Sequence, residues 1–241
     1  MEKMKVKKEK VRNYTGKGFF YKFLFFFGIK LFDVFKNIKD GKRFSEYGLT
    51  MYCGRQGAGK TIAMTEYLER MRVDFPKAKI ITNYGYIHET QPMKDWNDFF
   101  NITNGEDGVI FAIDEIQNEF SSAAWKNFPE SLLSEITQQR KQRVKIVCTS
   151  QIFSRVAKPL REQANDVVEC KTFAGRWTFM KCYDAVDYSK TIDSPTAKEK
   201  IRKLWRKSFL QDDYIRSLYD SYAKIERMGR TAFLSKVERG A

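Results

Sequence analysis

The residues with the clearest chemical potential form a glycine-rich run near position 54. The run fits the Walker A pattern GxxxxGK[ST], and its members are Gly54, Arg55, Gln56, Gly57, Ala58, Gly59, Lys60 and Thr61. Glycines let the backbone curl so that successive N–H groups point at phosphate oxygens, and a helix that begins near Lys60 adds its positive end. Lys60 is expected to reach the β- and γ-phosphates, and the Thr61 hydroxyl to bind Mg²⁺. The run therefore predicts a site for ATP and Mg²⁺.

A second candidate site follows the apolar run Val109–Ile113, whose continuous hydrophobicity is typical of a buried parallel strand. Asp114 and Glu115 come directly after it, which is the Walker B arrangement. Asp114 is expected to hold Mg²⁺, directly or through water. Glu115 is expected to orient and deprotonate an attacking water, the role of a general base. An adjacent base favours hydrolysis over simple nucleotide binding.

Polar and basic residues farther along the chain are candidates for sensing or stabilising the phosphates. Gln151 follows the strand-like run Val144–Ser150 and is a candidate sensor of the γ-phosphate or of the water; the alternative is a surface amide. Four arginines flank the same run, and they are Arg140, Arg143, Arg155 and Arg161. For any single one the alternative is a solvated helix charge. One of them, with Arg140 and Arg161 preferred, is predicted to stabilise transition-state charge on a neighbouring subunit's ATP.

Strand-like and helix-like segments alternate from Tyr47 onward, which predicts an α/β fold of the P-loop NTPase type. The predicted strands are Leu49–Cys53, Ala78–Thr82, Val109–Ile113, Val144–Ser150 and Asp166–Cys170, with Trp177–Tyr183 added through an antiparallel turn at Ala174–Gly175. The predicted helices are Thr61–Arg72, Pro129–Arg143 and Val156–Ala164. We expect a mostly parallel sheet with helices on both faces. Four cysteines without CxxC spacing are expected to be buried thiols, not zinc ligands.

Charge and composition divide the chain into three parts. The net charge of +14 is concentrated at the two ends, because residues 1–43 contain 13 Lys/Arg against 4 Asp/Glu and residues 198–241 contain 12 against 6. We expect a basic arm and an amphipathic helix over 1–43, an ATPase domain over 44–190, and a basic helical segment over 191–241. Basic ends favour a polyanion, either nucleic acid or anionic lipid. Trp205 lies among arginines and lysines, which suits DNA binding or a solvated amphipathic helix.

The apolar segment Gly18–Phe35 contains eight phenylalanines but is interrupted by Lys22, Lys30 and Asp33. A membrane-spanning helix needs about 20 mostly apolar residues, so no span is predicted. The pattern indicates a helix with a broad aromatic face and a narrow, mostly cationic one. Residues 18–40 are expected either to bind the surface of an anionic membrane or to pack on the protein's own core or a neighbouring subunit.

Within residues 47–183 the sequence resembles the Zot-like ATPases, the zonula-occludens-toxin domain proteins typified by the inner-membrane assembly ATPase of filamentous phages. The resemblance rests on the glycine-rich run, the strand VIFAIDE, the segment Phe120–Trp125, and the later stretches QQRKQR and IVCTSQ. Three further features recur in order: the pair Arg140-Lys141, the strand-end Gln151, and Arg161 before the strand Asp166–Cys170. The family belongs with the FtsK/HerA-type motors, so the resemblance implies a ring of subunits that moves DNA.

One feature of that family has no counterpart in this sequence. The filamentous-phage proteins carry a transmembrane helix after the ATPase domain, whereas the residues after Tyr183 are highly charged. Extrusion through an inner membrane is therefore not implied. An ATPase at the membrane face and a capsid-associated packaging motor fit equally well.

Two functions from different classes are consistent with these patterns. The first is an ATP-hydrolysing motor of a phage or mobile element, which drives DNA translocation in virion assembly or genome packaging. The second is a membrane-associated assembly ATPase that acts on coat or secretion proteins. A module that only switches on ATP binding is disfavoured by Glu115. The expected partners are further copies of the chain in a ring, DNA, and phage coat or portal proteins. The expected location is the cytoplasm, the inner face of the host membrane, or the virion.

Overall fold

The computed structural model describes residues 18–40, 43–95, 97–119, 142–192 and 201–219. The chain separates into two compact units, residues 1–43 and residues 44–241. Several sequence predictions lie outside the described residues. They are the basic arm over 1–17, the segment Phe120–Trp125, and nearly all of the helix Pro129–Arg143 together with Arg140.

The described part of the first unit is one long helix, α1 (Phe19–Asp40). Its apolar side chains are open to solvent, with Phe19 83% and Phe32 68% exposed. Residues four positions apart share a side of a helix, and the rings of Phe23 and Phe27 accordingly meet edge to face with centroids 4.8 Å apart. Within the described ranges, no helix combines the length and the apolar character needed to cross a membrane.

A mostly parallel sheet forms the centre of the second unit. Its described strands are β1 (Gly48–Cys53), β2 (Lys79–Thr82), β3 (Gln91–Pro92), β4 (Val109–Ile113), β5 (Val144–Ser150), β6 (Ala164–Phe173), β7 (Trp177–Asp184) and β8 (Lys203–Leu210). Their order across the sheet is β3-β2-β4-β5-β1-β6-β7-β8. Strands β1 to β6 run parallel, while β7 and β8 are antiparallel to their neighbours. The predicted α/β fold with a mostly parallel sheet is confirmed.

Helices cover both faces of this sheet. On one face α2 (Lys60–Asp74) buries Ile62, Met64 and Leu68 against side chains of β1, β4 and β5. Four short helices pack on the opposite face, and they are α3 (Asp98–Asn101), α4 (Ile116–Glu119), α5 (Lys158–Glu162) and α6 (Ala185–Ser189). The last described helix, α7 (Asp213–Ser217), returns to the α2 face through Ile215. The four cysteines are buried thiols, as the sequence predicts.

The C-terminal part differs from its prediction. The sequence predicts a helical segment over 191–241, but Lys203–Leu210 is the strand β8, which pairs with β7. Its side chains alternate: Trp205 and Phe209 pack against the core on the α2 face, whereas Arg206 is exposed between them. The strand also gives the backbone groups along the outer edge of β7 hydrogen-bond partners that they would otherwise lack.

Three strand ends meet at one edge of the sheet. Cys53, the last residue of β1, is in register with Ser150 of β5, and Ile113 of β4 is in register with Cys148. The residues that directly follow these strands must therefore lie side by side. Those residues are the glycine-rich turn, the pair Asp114–Glu115, and Gln151.

Candidate nucleotide site

The turn from Gly54 to Gly59, called the P-loop below, joins β1 to α2. Within it the Ala58 N–H donates to the Arg55 carbonyl at 3.1 Å. Gly59 has a φ of 81°, in the left-handed region, and a Cβ there would lie 2.4 Å from the Thr172 hydroxyl oxygen. Glycine alone fits this position. The turn therefore keeps the compact backbone that a phosphate cradle requires.

Lys60 is the first residue of α2 and bends back over the P-loop. Its side chain is 8% exposed, and the ammonium donates to the Arg55 carbonyl at 3.1 Å. A cation and the N-terminal end of α2 thus face the same turn. The P-loop fits a nucleotide's phosphates, because N–H groups, a helix terminus and a lysine all surround one small space.

Two hydroxyls converge on one carboxylate oxygen at the end of β4. The Thr61 hydroxyl donates to Asp114 Oδ1 at 2.9 Å, and the Thr149 hydroxyl donates to the same oxygen at 2.5 Å. The sequence predicts Thr61 and Asp114 as Mg²⁺ ligands, and the structure brings them together. One hydroxyl with one carboxylate suits Mg²⁺, which usually keeps several waters and phosphate oxygens as its remaining ligands. The donor set therefore fits the metal.

Glu115 follows Asp114 in an uncommon backbone conformation. Its φ is 54°, a left-handed value that residues with side chains rarely adopt and that is concentrated at functional sites. Its N–H donates to the Thr149 hydroxyl oxygen at 2.8 Å, and the Asn118 amide donates to its carboxylate at 2.9 Å. The half-buried carboxylate is held by these contacts yet remains open to water.

Asn83 and Thr149 belong to this site although the sequence analysis did not single them out. The Asn83 side-chain carbonyl accepts from the Asp114 N–H at 2.7 Å, and its amide donates to the Asp114 carbonyl at 3.2 Å. β2 pairs with β4, so the polar residue after β2 must lie beside the residue after β4. Thr149 lies near the end of β5, between β4 and β1 in the sheet. Both residues lie at or next to the end of a predicted strand. They could therefore have been found from the sequence if the order of the strands in the sheet had been known.

A chain of buried and partly buried hydrogen bonds connects the P-loop to β6, β7 and the end of β8; we call it the threonine brace. The Thr172 hydroxyl donates to the Ala58 carbonyl at 3.1 Å and lies 2.9 Å from the Thr178 hydroxyl. The Gln211 amide donates to the Thr178 hydroxyl at 2.7 Å. Thr178 is fully buried and Gln211 is 7% exposed. The position of the P-loop therefore depends on strands that are distant in sequence.

A cavity of about 900 Å³ opens beside the P-loop, a volume typical of small-molecule sites. Its lining combines P-loop residues with aromatic and basic side chains, among them Gly54, Arg55, Ala58, Gln151, Lys171, Phe179, Lys181 and Tyr188. The part of this lining next to the P-loop can hold the base and ribose of a nucleotide whose phosphates occupy the P-loop. The structure thus places Gln151 next to the P-loop, while Thr149 is the β5 residue that contacts Asp114. A sensor role for Gln151 stays a prediction.

Arg161 lies away from the P-loop of its own chain. Its Nε donates to the Val156 carbonyl at 2.9 Å. It precedes Ala164, which pairs with Leu49 at the start of β1. Gly54 is five residues farther along, about 16 Å at the rise of a strand. This separation keeps the Arg161 backbone away from the P-loop, but its guanidinium lies 5.6 Å from the ring centre of Phe153, which lines the cavity beside the P-loop. A role at a neighbouring subunit's site stays a prediction.

The other three arginines differ in their surroundings. Arg143 donates to the Glu106 carbonyl at 2.8 Å and to the Phe44 carbonyl at 3.4 Å, so it ties together segments near the start of β5. Arg155 is exposed. Arg140 lies outside the described residues. The contacts of Arg143 indicate a structural role.

Comparison with known proteins agrees with this architecture. The model of the family described as Zonular occludens toxin (Zot) matches residues 62–224. The structure of the N-terminal domain of zonular occludens toxin from Neisseria meningitidis is similar, with a TM-score of 0.52 and 16% sequence identity, covering 72% of this chain and 98% of that one. B204, the DNA-packaging ATPase from Sulfolobus turreted icosahedral virus, gives a TM-score of 0.43 and 12% identity, covering 71% and 94%. No curated protein matches the chain in sequence.

Proposed function

Because the chain belongs to the zonular occludens toxin (Zot) family, we propose that it is an ATP-hydrolysing motor of a phage or mobile element, driving DNA translocation in virion assembly or genome packaging. The observation that carries this proposal is the convergence of Thr61 and Thr149 on Asp114 beside Glu115. A phosphate cradle, a metal-binding carboxylate and a candidate general base thus lie at one edge of the sheet. Hydrolysis of a nucleoside triphosphate requires this combination.

Each residue has a separate task in this proposal. The P-loop N–H groups and Lys60 bind the phosphates, while Thr61 and Asp114 would hold Mg²⁺. When bound, that ion neutralises charge on the phosphate oxygens. Glu115 accepts a proton from the attacking water, and Asn118 together with the left-handed backbone fixes the direction of its carboxylate. Thr149 keeps Asp114 and Glu115 in register, since its hydroxyl donates to the Asp114 carboxylate and accepts from the Glu115 backbone N–H.

A ring of identical subunits is proposed because an arginine of one subunit can then complete the site of the next. Arg140→Ala should leave ATP binding intact and depress turnover, since a trans arginine contributes about 10³–10⁵-fold. Mixing it with Glu115→Gln protein should restore some turnover, because a mixed interface combines an intact Glu115 with an intact Arg140. Strictly additive rates in the mixture would reject Arg140, and Arg161→Ala would be the next variant.

The exposed helix α1 favours a second candidate function, a membrane-associated assembly ATPase that acts on coat or secretion proteins. Its phenylalanines are open to solvent in a segment that also contains Lys22 and Lys30. Such a helix is suited to the boundary between headgroups and acyl chains. The corresponding location is the inner face of the host membrane, and for a packaging motor it is the cytoplasm or the virion.

ATP hydrolysis by the full-length protein, measured as phosphate release with Mg²⁺, separates the two candidates. For a DNA motor, added DNA should raise the rate at low salt, and high salt should abolish the increase because phosphate contacts are salt-sensitive. Stimulation by coat protein or anionic liposomes, without any effect of DNA, would favour the second function. Absence of hydrolysis under all of these conditions would reject both.

A further inference from the structure

One face of the strands β6, β7 and β8 is open, aromatic and basic. Side chains alternate along each strand, so that Cys170, Met180 and Trp205 pack into the core on the α2 face while their neighbours point the other way. Six exposed residues on the face opposite α2 form a surface that we call the β6–β8 platform; they are Lys171, Phe173, Trp177, Phe179, Lys181 and Arg206. Lys171, Phe179 and Lys181 also line the cavity beside the P-loop, so the platform overlaps the outer part of that cavity.

Three exposed aromatic residues on neighbouring strands form a strip on this platform, and two of their rings are in contact. Phe173 lies opposite Trp177 in the β6–β7 pair, and the rings of Trp177 and Phe179 have centroids 4.8 Å apart with planes inclined by 34°. The exposed fractions are 65% for Phe173, 44% for Trp177 and 38% for Phe179. Contiguous exposed apolar surface of this kind marks an interaction site. Open aromatic rings are the groups on which nucleic-acid bases stack.

The cations of the platform are arranged around this strip. Lys181 lies opposite Arg206 in the β7–β8 pair, and Lys171 lies opposite Phe179 in the β6–β7 pair. None of these three cations forms an ion pair with any residue that the structure describes. The neighbouring acid, Glu169, accepts a hydrogen bond from the Tyr188 hydroxyl at 2.7 Å. Two such faces would repel each other in a symmetric dimer, whereas a polyanion complements them.

We propose that the β6–β8 platform binds single-stranded nucleic acid, with its rings stacked on unpaired bases and its cations on the phosphates. A duplex keeps its bases stacked on one another, so rings on a flat sheet face cannot reach them. The inference rests on the proposed motor function, for which it supplies the place where DNA is held.

The platform shares its strands with the threonine brace. Thr172 and Thr178 alternate with Phe173, Trp177 and Phe179 along β6 and β7, and the Thr172 hydroxyl contacts the Ala58 carbonyl. A shift of these strands on one face therefore displaces groups on the other. Binding of nucleic acid and binding of nucleotide are expected to alter each other's affinity by the same factor, as linkage requires.

Fluorescence anisotropy of a labelled oligothymidylate, with the full-length protein, tests the platform. Trp177→Ala should weaken binding about 10-fold, whereas Trp177→Phe, which keeps a ring, should stay within about twofold of the parent. Arg206→Ala should reduce the slope of log affinity against log salt by about 0.7, the value for one phosphate contact on a single strand. Phe100→Ala and Lys94→Ala, which remove an exposed ring and an exposed charge near the far edge strand β3, are matched controls and should change neither quantity.

Four outcomes would contradict the proposal that the β6–β8 platform binds single-stranded nucleic acid. If the parent binds oligothymidylate and both variants bind equally well, DNA is held elsewhere and the motor function survives. If duplex DNA binds as tightly and is equally sensitive to Trp177→Ala, the single-strand assignment is wrong. If the variants alter sedimentation of the protein without DNA, the face is a subunit interface. If the parent neither binds DNA nor responds to it in ATP hydrolysis, the proposed motor function fails as well.

Discussion

Glu115 is the residue on which turnover should depend. Glu115→Gln removes the proton acceptor but keeps the Asn118 contact geometry, so it should preserve nucleotide binding and lower the hydrolysis rate by about 10²–10⁴-fold, the usual contribution of a general base. Lys60→Ala should abolish nucleotide binding instead. Binding of a fluorescent ATP analogue and phosphate release report the two effects separately. Glu106→Gln, at a surface carboxylate, is the control, and hydrolysis at the parental rate by Glu115→Gln would refute the catalytic role.

Thr178 should control nucleotide affinity through the threonine brace. Thr178→Val keeps the shape of a strand residue but removes the acceptor for the Gln211 amide and the partner of Thr172. An unsatisfied buried donor costs about 1–3 kcal/mol. The Thr172 hydroxyl, which donates to the Ala58 carbonyl, loses the partner that fixes its position, so KM for ATP should rise at least about fivefold with kcat less affected. Ser208→Ala on exposed β8 is the control, and an unchanged KM would show that the brace is only structural.

The site residues that belong to contiguous motifs were predicted from the sequence, whereas those that join the site through contacts distant in sequence were not. The P-loop and the pair Asp114–Glu115 are contiguous motifs, so their chemistry is visible in the sequence. Asn83 and Thr149 act only because β2, β4 and β5 end at the same edge. Gln211 reaches Thr178 across the β7–β8 pair, a contact that depends on a strand the sequence did not predict.

Among the elements, β8 is a strand where a helical segment was predicted, and the spacing of its charges does fit a helix. Arg202 and Arg206 are four residues apart, as are Lys203 and Lys207, which matches one face of a helix. Trp205 and Phe209, which pack against the core, are also four residues apart, so their spacing fits a helix as well as a strand. Pairing with β7 decided the outcome, because an extended chain there buries the apolar side chains and satisfies the backbone. The central strand β4, VIFAI, is continuously apolar and was predictable from this run of residues.

The attachment of α7 to α2 should weaken at acid pH. Partial burial alone would raise the pKa of Glu69, but hydrogen bonds from Arg72, Tyr86 and Tyr214 outweigh it and lower the pKa to about 2. Arg72 Nη2 and the Tyr214 hydroxyl each lie 2.9 Å from Glu69 Oε2. Because the pKa of Glu69 in the folded protein lies below the ordinary glutamate value of 4.5, the stabilisation is complete above pH 4.5 and is lost as the pH falls towards 2.

Denaturant unfolding at several pH values measures this dependence. The difference in unfolding free energy between the parent and Glu69→Gln should be constant near neutrality and should shrink between pH 4.5 and about 2. Tyr214→Phe should give a smaller difference, which also shrinks over this interval, because it removes one of the hydrogen bonds that the ionised carboxylate accepts. A difference that stays the same at acid pH would show that ionised Glu69 does not hold α7.

For the whole molecule, residues 1–43 and the second unit should have different partners. Residues 1–43 combine 13 Lys/Arg with the exposed aromatic surface of α1, and phenylalanine offers no base-specific contact. Cations near anionic headgroups contribute about 1 kcal/mol each, and the aromatic side chains can enter the acyl boundary. We therefore expect residues 1–43 to attach the protein to anionic membranes, while the second unit binds DNA without them.

Liposome co-sedimentation and DNA binding, measured on the same proteins, test this division. A protein lacking residues 1–43 should lose most of its binding to anionic vesicles yet keep salt-sensitive DNA binding. In the full-length chain, Phe23→Ser with Phe27→Ser should weaken vesicle binding, because these rings are 46% and 55% exposed on α1. Phe100→Ser, at an exposed ring of the second unit, should not. If the shortened protein still sediments with anionic vesicles, or is unfolded by circular dichroism, α1 is part of the core or of a subunit interface and not a membrane anchor.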